Sequence, residues 1–246
     1  MTSTDAEGST ESTPIPSSVI ERLNPVIRSV FSQGDFHRVD MRSIAREAGM
    51  SFGTIYRYFT DKEKLLFWFI AYWLRELQAS AIEALDTEGS AMQRIHRYME
   101  AHFRFYEANP DVGRIIFMTV PLERWMRDPS YGYREPIKHM RDAVRQGQKT
   151  GEIRSDVKAE TILDLFLGIF NRTFMAWEYR GRSYPLIDQY KAILPLIETG
   201  VQGGGTLAPT TATKTAKAAK AAQATSASKT PAKAPAAPRP RRKPAT

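Results

Sequence analysis

The sequence predicts an all-α protein of about nine helices, and three observations support this. Apolar residues recur at helical spacing through the interior of the chain, and cap residues mark the starts of the helical segments. No segment alternates polar and apolar residues with the period of a strand. The apolar content, 42% of 246 residues, is enough for a sizeable core.

In the N-terminal half, caps and glycines set the helix ends. The apolar face of the first helix stops before Gly34, and Asp40, Asp61 and Ser90 each have a side chain suited to an N-cap. Pro110 forces a break because it lacks a backbone N–H. After the first helix we expect helices at about 40–48, 52–58, 61–85 and 90–109.

In the C-terminal half, prolines divide the helices. Pro121 and Pro129 indicate a loop, Pro185 suits a helix start, and Pro195 should kink or end the helix that contains it. Two wide apolar stripes have helical spacing without a gap. We expect helices at about 112–118 and 136–149, and through the stripes 162–177 and 187–197.

Composition excludes several classes of protein. Without cysteine there are no disulfides, thiolate metal sites or cysteine nucleophiles. Residues 1–13 are polar and lack the apolar stretch of a signal peptide. The longest apolar run, Leu65–Leu74, has ten residues, too few to cross a bilayer, and is expected at the joint between two domains. We therefore expect a soluble cytoplasmic protein.

The net charge of +8 arises from the C-terminal segment. After Glu198 the chain has nine Lys and Arg residues and no acid, which leaves 26 bases against 27 acids elsewhere. This Ala/Lys/Pro-rich composition cannot bury enough apolar surface to fold. We expect a disordered basic tail at 201–246 and a disordered leader at 1–16. The tail either adds phosphate contacts, so that deleting 202–246 flattens the salt dependence of DNA affinity, or is an inert extension.

Residues 39–64 contain the pattern of a helix-turn-helix, in which the second helix enters the DNA major groove. Ala45 is small where two helices must cross closely, and Gly49 permits the left-handed backbone of a sharp turn. Ser51 is placed to cap the second helix, whose buried anchors are Ile55 and Phe59.

This segment resembles the TetR family of bacterial transcriptional repressors. The matching elements are Ile44-Ala45, Ala48-Gly49-Met50-Ser51, Gly53-Thr54-Ile55-Tyr56, Tyr58-Phe59 and Lys62-Glu63-Lys64-Leu65. The remaining chain matches the family's layout in size and helix count only. The resemblance implies a DNA-binding domain at 17–77, with the helix-turn-helix at about 40–59, and an effector-binding and dimerisation domain at 78–200.

The resemblance also implies the DNA contacts. Arg57, in the middle of the recognition helix, could bind guanine through two hydrogen bonds, and Arg42 could reach a base or a phosphate. Lys62 could grip a phosphate, Gly53 permits close approach, and Phe52 departs from the family's usual polar residue and could meet a thymine methyl. The alternative for Arg42, Arg57 and Lys62 is that they are ordinary solvated charges. The alternative for Tyr56 and Tyr58 is that one of them packs against the long helix. The expected DNA-binding residues are Arg42, Ser51, Phe52, Gly53, Thr54, Tyr56, Arg57, Tyr58 and Lys62.

A palindromic site is usually read by a two-fold dimer. In the resembling family the last two long helices pair with their copies in a four-helix bundle, which places a homodimer interface on the two C-terminal stripes. The alternative is that these stripes are core inside one chain. The expected interface residues are Ile162, Phe166, Ile169, Thr173, Ile187, Tyr190, Leu194 and Ile197.

The resemblance further implies that the middle helices enclose a ligand pocket. Its bulky apolar candidates favour a small hydrophobic or amphipathic effector, although each of them could be plain core. Glu123, Arg124 and Arg127, near Trp125, could recognise a polar end group. His96 and His102 are six residues apart, off one helix face, so no metal site is expected. The expected pocket residues are Phe103, Tyr106, Phe117, Met118, Trp125, Phe170, Phe174 and Trp177.

Together these features predict a ligand-responsive, sequence-specific DNA-binding regulator, a repressor released from a palindromic operator by its effector. No catalytic residue and no cofactor is expected. A second hypothesis is an architectural DNA-binding protein that uses the basic tail. A third, an α-helical enzyme, lacks support because the sequence shows no phosphate-binding glycine loop and no nucleophile or paired His-carboxylate motif.

Overall fold

The protein is described by a computed structural model covering residues 14–204, and these residues form helices joined by short turns. A short 3₁₀ turn follows α1, and a π-helical turn follows α6. The only β-type pairing in the described part of the chain is an isolated bridge between Ile153 and Gln202. The α-helices are α1 (Ser17–Ser32), α2 (Met41–Glu47), α3 (Phe52–Tyr58), α4 (Lys62–Asp86), α5 (Ala91–Ala108), α6 (Pro110–Arg114), α7 (Leu122–Arg127), α8 (Arg134–Thr150), α9 (Ala159–Tyr179) and α10 (Leu186–Val201).

The N-terminal helices pack on the first half of α4. The buried face of α1 consists of Val19, Leu23, Ile27 and Phe31, spaced three or four residues apart, and it packs against α2 and α4. At the start of α4, seven of the ten residues of the run Leu65–Leu74 are buried and the other three are half-buried. The prediction that this run joins two parts of the molecule is consistent with its place in the fold, because α4 continues onward to pack against α5 and α8.

The C-terminal part is a helical layer around α5. This helix packs against α4, α8, α9 and α10, and its capping box pairs Ser90 with Gln93 as a reciprocal N-terminal cap. Gly113 lies directly against Phe174, since a Cβ at position 113 would lie 2.3 Å from that ring. A glycine is therefore required where α6 crosses α9.

The all-α prediction is confirmed, with two local corrections. The described residues form ten α-helices instead of about nine, because the segment between Pro121 and Pro129, expected as a loop, contains α7. Trp125 anchors this helix with its side chain only 1% exposed, and a proline precedes its first residue. Pro195 does not end α10, since Val201 on the last turn is buried and holds the helix in place.

The predicted start of the tail, residue 201, lies too early in the chain, because the folded part extends past it. Val201 is buried at the end of α10, and the Gly203 N–H donates to the carbonyl of Glu152 at 2.9 Å. At the other end, Ile15 packs against the core, so the leader expected to residue 16 is too long. The rest of the expected leader and tail, residues 1–13 and 205–246, lies outside the described residues.

Candidate nucleic-acid interface and effector cavity

The turn between α2 and α3 has the local geometry that its residues predict. Asp40 accepts a hydrogen bond from the Ser43 N–H at 3.3 Å, which caps α2. Gly49 adopts φ +60, the left-handed conformation that turns the chain. Ser51 accepts from the Thr54 N–H at 3.1 Å and so caps α3. Each helix therefore starts and stops where its own sequence fixes it.

A long-range contact locks this turn onto α1. The Arg22 guanidinium donates through Nε to the carbonyl of Ala48 at 3.1 Å, and through a second nitrogen to the carbonyl of Gly49. These two carbonyls end α2, where helical partners are missing. The orientation of α3 relative to α1 is thus held by a charged donor as well as by apolar packing.

The two faces of α3 are sharply different. Ile55 is fully buried beneath it, whereas Phe52 is 38% and Tyr56 46% exposed. The Phe52 and Tyr56 rings are 4.5 Å apart, and the Arg42 guanidinium of α2 lies over Phe52 at 5.5 Å. Arg57 is exposed and makes no hydrogen bond or ion pair with any described residue. We call Arg42, Phe52, Tyr56 and Arg57 the α3 surface.

The other expected DNA-binding residues on α3 are less free. The Thr54 hydroxyl lies 2.7 Å from the Ser51 hydroxyl, so each already has a partner within the cap. Tyr58 is half-buried and packs against the core. This agrees with the alternative that a tyrosine of α3 packs inside the fold. Gly53 is exposed, and a Cβ placed there would meet nothing within 4 Å. Nothing inside the described chain therefore requires glycine at position 53.

Lys62 does not have the role that the sequence suggested. Its ammonium donates to the carbonyls of Phe36, His37 and Val39 at 2.8, 3.0 and 3.1 Å, and it lies 4.7 Å from the Phe36 ring centre. An ammonium has three N–H donors, so all of them are used. The expectation that Lys62 grips a phosphate is corrected: it pins the α1–α2 connection onto the start of α4.

Ion pairs join the N-terminal helices to the C-terminal layer at two places, between α1 and α6 and between α4 and the α7 segment. Arg28 of α1 pairs with Asp111 of α6 and also donates to the Asn109 side chain at 3.2 Å. Burial raises the pKa of Asp111, but the hydrogen bonds and charge of Arg28 outweigh it and hold that pKa below its usual value. Lys64 of α4 pairs with Asp128, just after α7, at 2.5 Å.

Beside Lys64, Glu63 pairs with Arg124 of α7. Arg127 pairs with Glu123 within α7. The expectation that Glu123, Arg124 and Arg127 recognise a ligand's polar end is therefore corrected, because these side chains are paired on the outer side of the helix. In the structure they attach α7 to α4 and stabilise α7.

An apolar cavity of about 380 Å³ lies between α5, the π-helical turn, α7, α8 and α9. Its wall is mostly aromatic and aliphatic, with Arg141, Glu160 and Asp164 among the polar exceptions. Sites for small molecules commonly have this size and this composition. Three of the eight expected pocket residues line it, namely Phe117, Trp125 and Phe170.

The other five expected pocket residues are placed elsewhere. Met118 is 42% exposed on the surface, and the remaining four are core residues that do not line the cavity. Aromatic residues at core spacing look the same in sequence whether they face a cavity or a neighbouring helix. This cavity therefore does not support the effector contacts predicted for five residues, which stay predictions: Phe103, Tyr106, Met118, Phe174 and Trp177.

Apart from Trp125, the polar part of the cavity wall was not predicted from the sequence. Tyr98, His102 and Trp125 line the cavity and are buried, and each carries a side-chain polar atom with no hydrogen-bond partner in the described structure. Burial lowers the pKa of His102 to about 4 and raises that of Tyr98. Nothing in the local sequence could reveal this cluster, since α5 and α7 bring it together.

A larger cleft of about 680 Å³ is open to solvent between the α4–α5 turn and α8. Its best-placed acid, Glu152, is already used, accepting from the N–H groups of Ala91 and Met92 at 2.8 and 2.9 Å. The cleft thus contains a helix cap and solvated charges. The apolar cavity is the better candidate for an apolar ligand because its wall is mostly aromatic and aliphatic.

The stripes expected to form a dimer interface face inward. Five of the eight expected residues are buried within the single chain and cannot contact a copy, and the other three are half-buried. The exposed apolar residues of α9, Leu165 and Met175, lie on the side of that helix that faces away from its buried residues. The buried five are Ile162, Phe166, Ile187, Tyr190 and Ile197, and the half-buried three are Ile169, Thr173 and Leu194.

Within residues 14–204 no helix is both long and apolar enough to cross a membrane. The same residues contain no group of three or more His, Asp or Glu placed to hold a metal ion.

The comparisons with known proteins agree with this geometry. The family model described as bacterial regulatory proteins, tetR family, matches residues 26–67, from the middle of α1 to the first turns of α4. The fatty acid metabolism regulator protein of Bacillus subtilis is 19% identical over 177 residues, covering 70% of this chain and 90% of that protein.

Two solved structures share the fold. The fatty acid degradation regulator FadR of Bacillus halodurans aligns with a TM-score of 0.67 at 14% identity, over 78% of this chain and all of the other. FadR of Bacillus subtilis, solved in complex with stearoyl-CoA, aligns with a TM-score of 0.64 at 18% identity, over 74% and 99%. Residues 26–67 of this chain therefore match the DNA-binding domain of the TetR family, and the chain is a DNA-binding transcriptional regulator.

Proposed function

We propose that this protein is a repressor that binds a palindromic operator as a homodimer and is released by a small hydrophobic or amphipathic effector. The α3 surface carries this proposal. It presents an unpaired arginine and two exposed aromatic rings on a helix fixed at both ends, which is how a recognition helix is presented to a major groove.

The contacts sort by chemistry. Arg57 has five free N–H donors and reads a guanine edge, whereas the Phe52 ring meets a thymine methyl. Tyr56, Tyr58 and the cap hydroxyls of Ser51 and Thr54 contact the phosphate backbone, which positions the helix without reading sequence. Arg42, held over Phe52, contacts a base or phosphate next to it. Gly53 permits the start of α3 to approach the groove closely. Lys62 is left out of this set.

The dimer forms through the outward faces of α9 and α10. On α9, Leu165 is 43% and Met175 38% exposed, and on α10 Leu196 is 73% exposed. Exposed apolar side chains in one area are typical of an interface. Leu196→Glu should yield monomers with weak operator binding. Lys191→Glu, on another side of the same helix, should remain dimeric in sedimentation.

The effector occupies the apolar cavity. That a similar protein of Bacillus subtilis has been solved with stearoyl-CoA supports an apolar ligand within this fold. Here the wall includes Leu122, Trp125 and Met126 of α7, the same helix that is paired to the start of α4 through Arg124. An effector that displaces α7 therefore acts directly on the helix that follows α3.

The response requires unequal binding to two forms of the dimer, since a ligand that binds both equally shifts nothing. The contacts Arg28–Asp111 and Lys64–Asp128 transmit the change, because they connect the layer around the cavity to α1 and α4. A change in the distance between the two recognition helices then removes one of them from its half-site.

Selection of bound sequences from a random DNA pool tests the proposal, using the full chain and a chain ending at Gly204. Both should return the same inverted repeat, and small apolar ligands that raise the thermal stability of the protein should release it. A pool without an inverted repeat would refute the dimeric operator. Site preference lost in the shortened chain would instead favour the architectural role of the tail.

A further inference from the structure

Three of the rings that line the apolar cavity each carry an unpartnered polar atom. They are the Tyr98 hydroxyl, His102 Nε2 and Trp125 Nε1, and all three residues are at most 5% exposed. The ring centroids of Tyr98 and His102 are 4.2 Å apart, and Tyr133 connects His102 to Trp125 at 6.1 and 6.0 Å. A buried polar group without a partner is destabilising, so this cluster calls for a ligand or water.

The protonation of His102 is determined by the helix that carries it. Nδ1 lies 2.8 Å from the backbone carbonyl of Tyr98, one turn earlier. A carbonyl oxygen can only accept, so Nδ1 carries the hydrogen and donates it. Because burial lowers the pKa of His102 to about 4, the ring is neutral near pH 7 and Nε2 is a bare acceptor. The cavity wall thus offers an acceptor at His102 and a donor at Trp125.

We propose that the effector carries a neutral hydroxyl group at its inner end, as in a phenol or an alcohol, bound by His102, Trp125 and Tyr98. The hydroxyl hydrogen is donated to His102 Nε2, and its oxygen accepts from Trp125 Nε1–H or from the Tyr98 hydroxyl. The remainder of the effector is apolar and fills the cavity between α7 and α9. This inference rests on the proposed effector role of the cavity and narrows the class of ligand.

Other end groups fit the cluster less well. A carboxylate has no hydrogen for Nε2 and would place its charge beside a lone pair in an apolar wall. A thioester or ether oxygen can satisfy Trp125 but leaves His102 unpaired. Among the lining residues the guanidinium of Arg141 is the cation, and its side chain is one third exposed beside Glu160. A charged end group would therefore bind at Arg141.

Calorimetric titration of the full-length protein with matched probes tests this. The probes are 4-alkylphenols with butyl to octyl chains, their methyl ethers, and the corresponding 4-alkylbenzoates. We expect the best phenol to bind about tenfold more tightly than its ether, although the ether buries an additional methyl group. In His102→Phe and Trp125→Phe this preference should fall to about threefold or less.

Two controls separate recognition from damage to the fold. Tyr190 also has a buried hydroxyl without a partner, but it does not line the cavity, so Tyr190→Phe should keep the tenfold preference. Ether affinity retained in His102→Phe shows that the cavity is intact in that variant. Should His102→Phe not fold, Trp125→Phe and Tyr98→Phe carry the same comparison.

Three results would overturn the inference. Equal affinity of the wild type for phenols and ethers would refute recognition of a hydroxyl group, but the cavity would remain the proposed effector site. Benzoates that bind most tightly, and lose affinity in Arg141→Met, place the polar end of the effector at Arg141. Failure of every probe to bind, without any rise in thermal stability, refutes the cavity as an effector site as well.

Discussion

The α3 surface and the apolar cavity both hold unpartnered polar groups, but in opposite surroundings. Arg57 is exposed, so water satisfies its donors until a partner arrives. Tyr98, His102 and Trp125 are buried, and a buried polar atom costs about 1–3 kcal/mol until a ligand or a water molecule pairs with it. Ligand binding at the cavity should therefore raise the stability of the chain, whereas removing side chains from the α3 surface should leave stability unchanged.

The largest expected effect follows from this difference and concerns Arg57. Arg57→Ala should weaken operator binding by about 1–3 kcal/mol per half-site and relax discrimination at one base pair, because a two-pronged contact to guanine is lost. The melting temperature should stay within a degree or two, since Arg57 has no partner in the described chain. Binding to an array of single-base operator variants measures both changes.

Arg104→Ala is the matched control for this variant. Arg104 is an exposed arginine of α5 that pairs with Glu100, and such pairs contribute little to stability. Operator affinity should not change. Unaltered base preference in Arg57→Ala would remove Arg57 from the reading role.

Lys62 differs from Arg57, because it is a cation near the α3 surface whose donors are all used within the protein. Lys62→Met should lower the free energy of unfolding by about 1–3 kcal/mol, because three carbonyls lose their charged donor. The salt dependence of operator binding should keep its slope, since no phosphate contact is removed. Urea unfolding and binding at several salt concentrations measure the two quantities. A flatter salt dependence of operator binding at unchanged stability would show instead that Lys62 binds a phosphate of the DNA.

The two regions also differ in how far the sequence could determine them. Asp40, Gly49, Ser51 and Asp61 act on atoms within a few residues of themselves, so the helix ends from α2 to α4 were predicted correctly. Whether Phe103 or Phe174 faces a cavity or a neighbouring helix depends on which distant helix packs against it. The spacing of apolar residues predicts which face of a helix is buried, but not which helix covers that face. The prediction that Lys62 binds a phosphate was wrong for the same reason, because the carbonyls that accept from it lie 23 to 26 residues away in the sequence.

A smaller effect is expected at the contact between α1 and α6, where Arg28 pairs with Asp111. Because its folded pKa is depressed, Asp111 contributes stability that is fully present above the unfolded pKa of about 3.9 and is lost as pH falls through the folded value. The pair with Arg28 is about one third exposed, so its contribution should be only about 0.5–1 kcal/mol. Urea unfolding of wild type and Asp111→Asn should therefore differ by this amount from pH 8 to 5 and converge below pH 4. A difference that persists at low pH would show that packing, and not charge, makes this contact.

Gly53 gives the smallest change in stability and the clearest separation between fold and binding. Its φ is not in the left-handed region, and a Cβ there meets open space, so Gly53→Ala should stabilise α3 by up to about 0.5–1 kcal/mol. The same methyl group would stand between the start of α3 and the DNA, and operator affinity should fall several-fold. Thermal unfolding and operator binding then change in opposite directions, which a purely structural glycine could not produce. If affinity rises along with stability, the start of α3 does not approach the groove, and the contacts proposed for Ser51 and Thr54 fail with it.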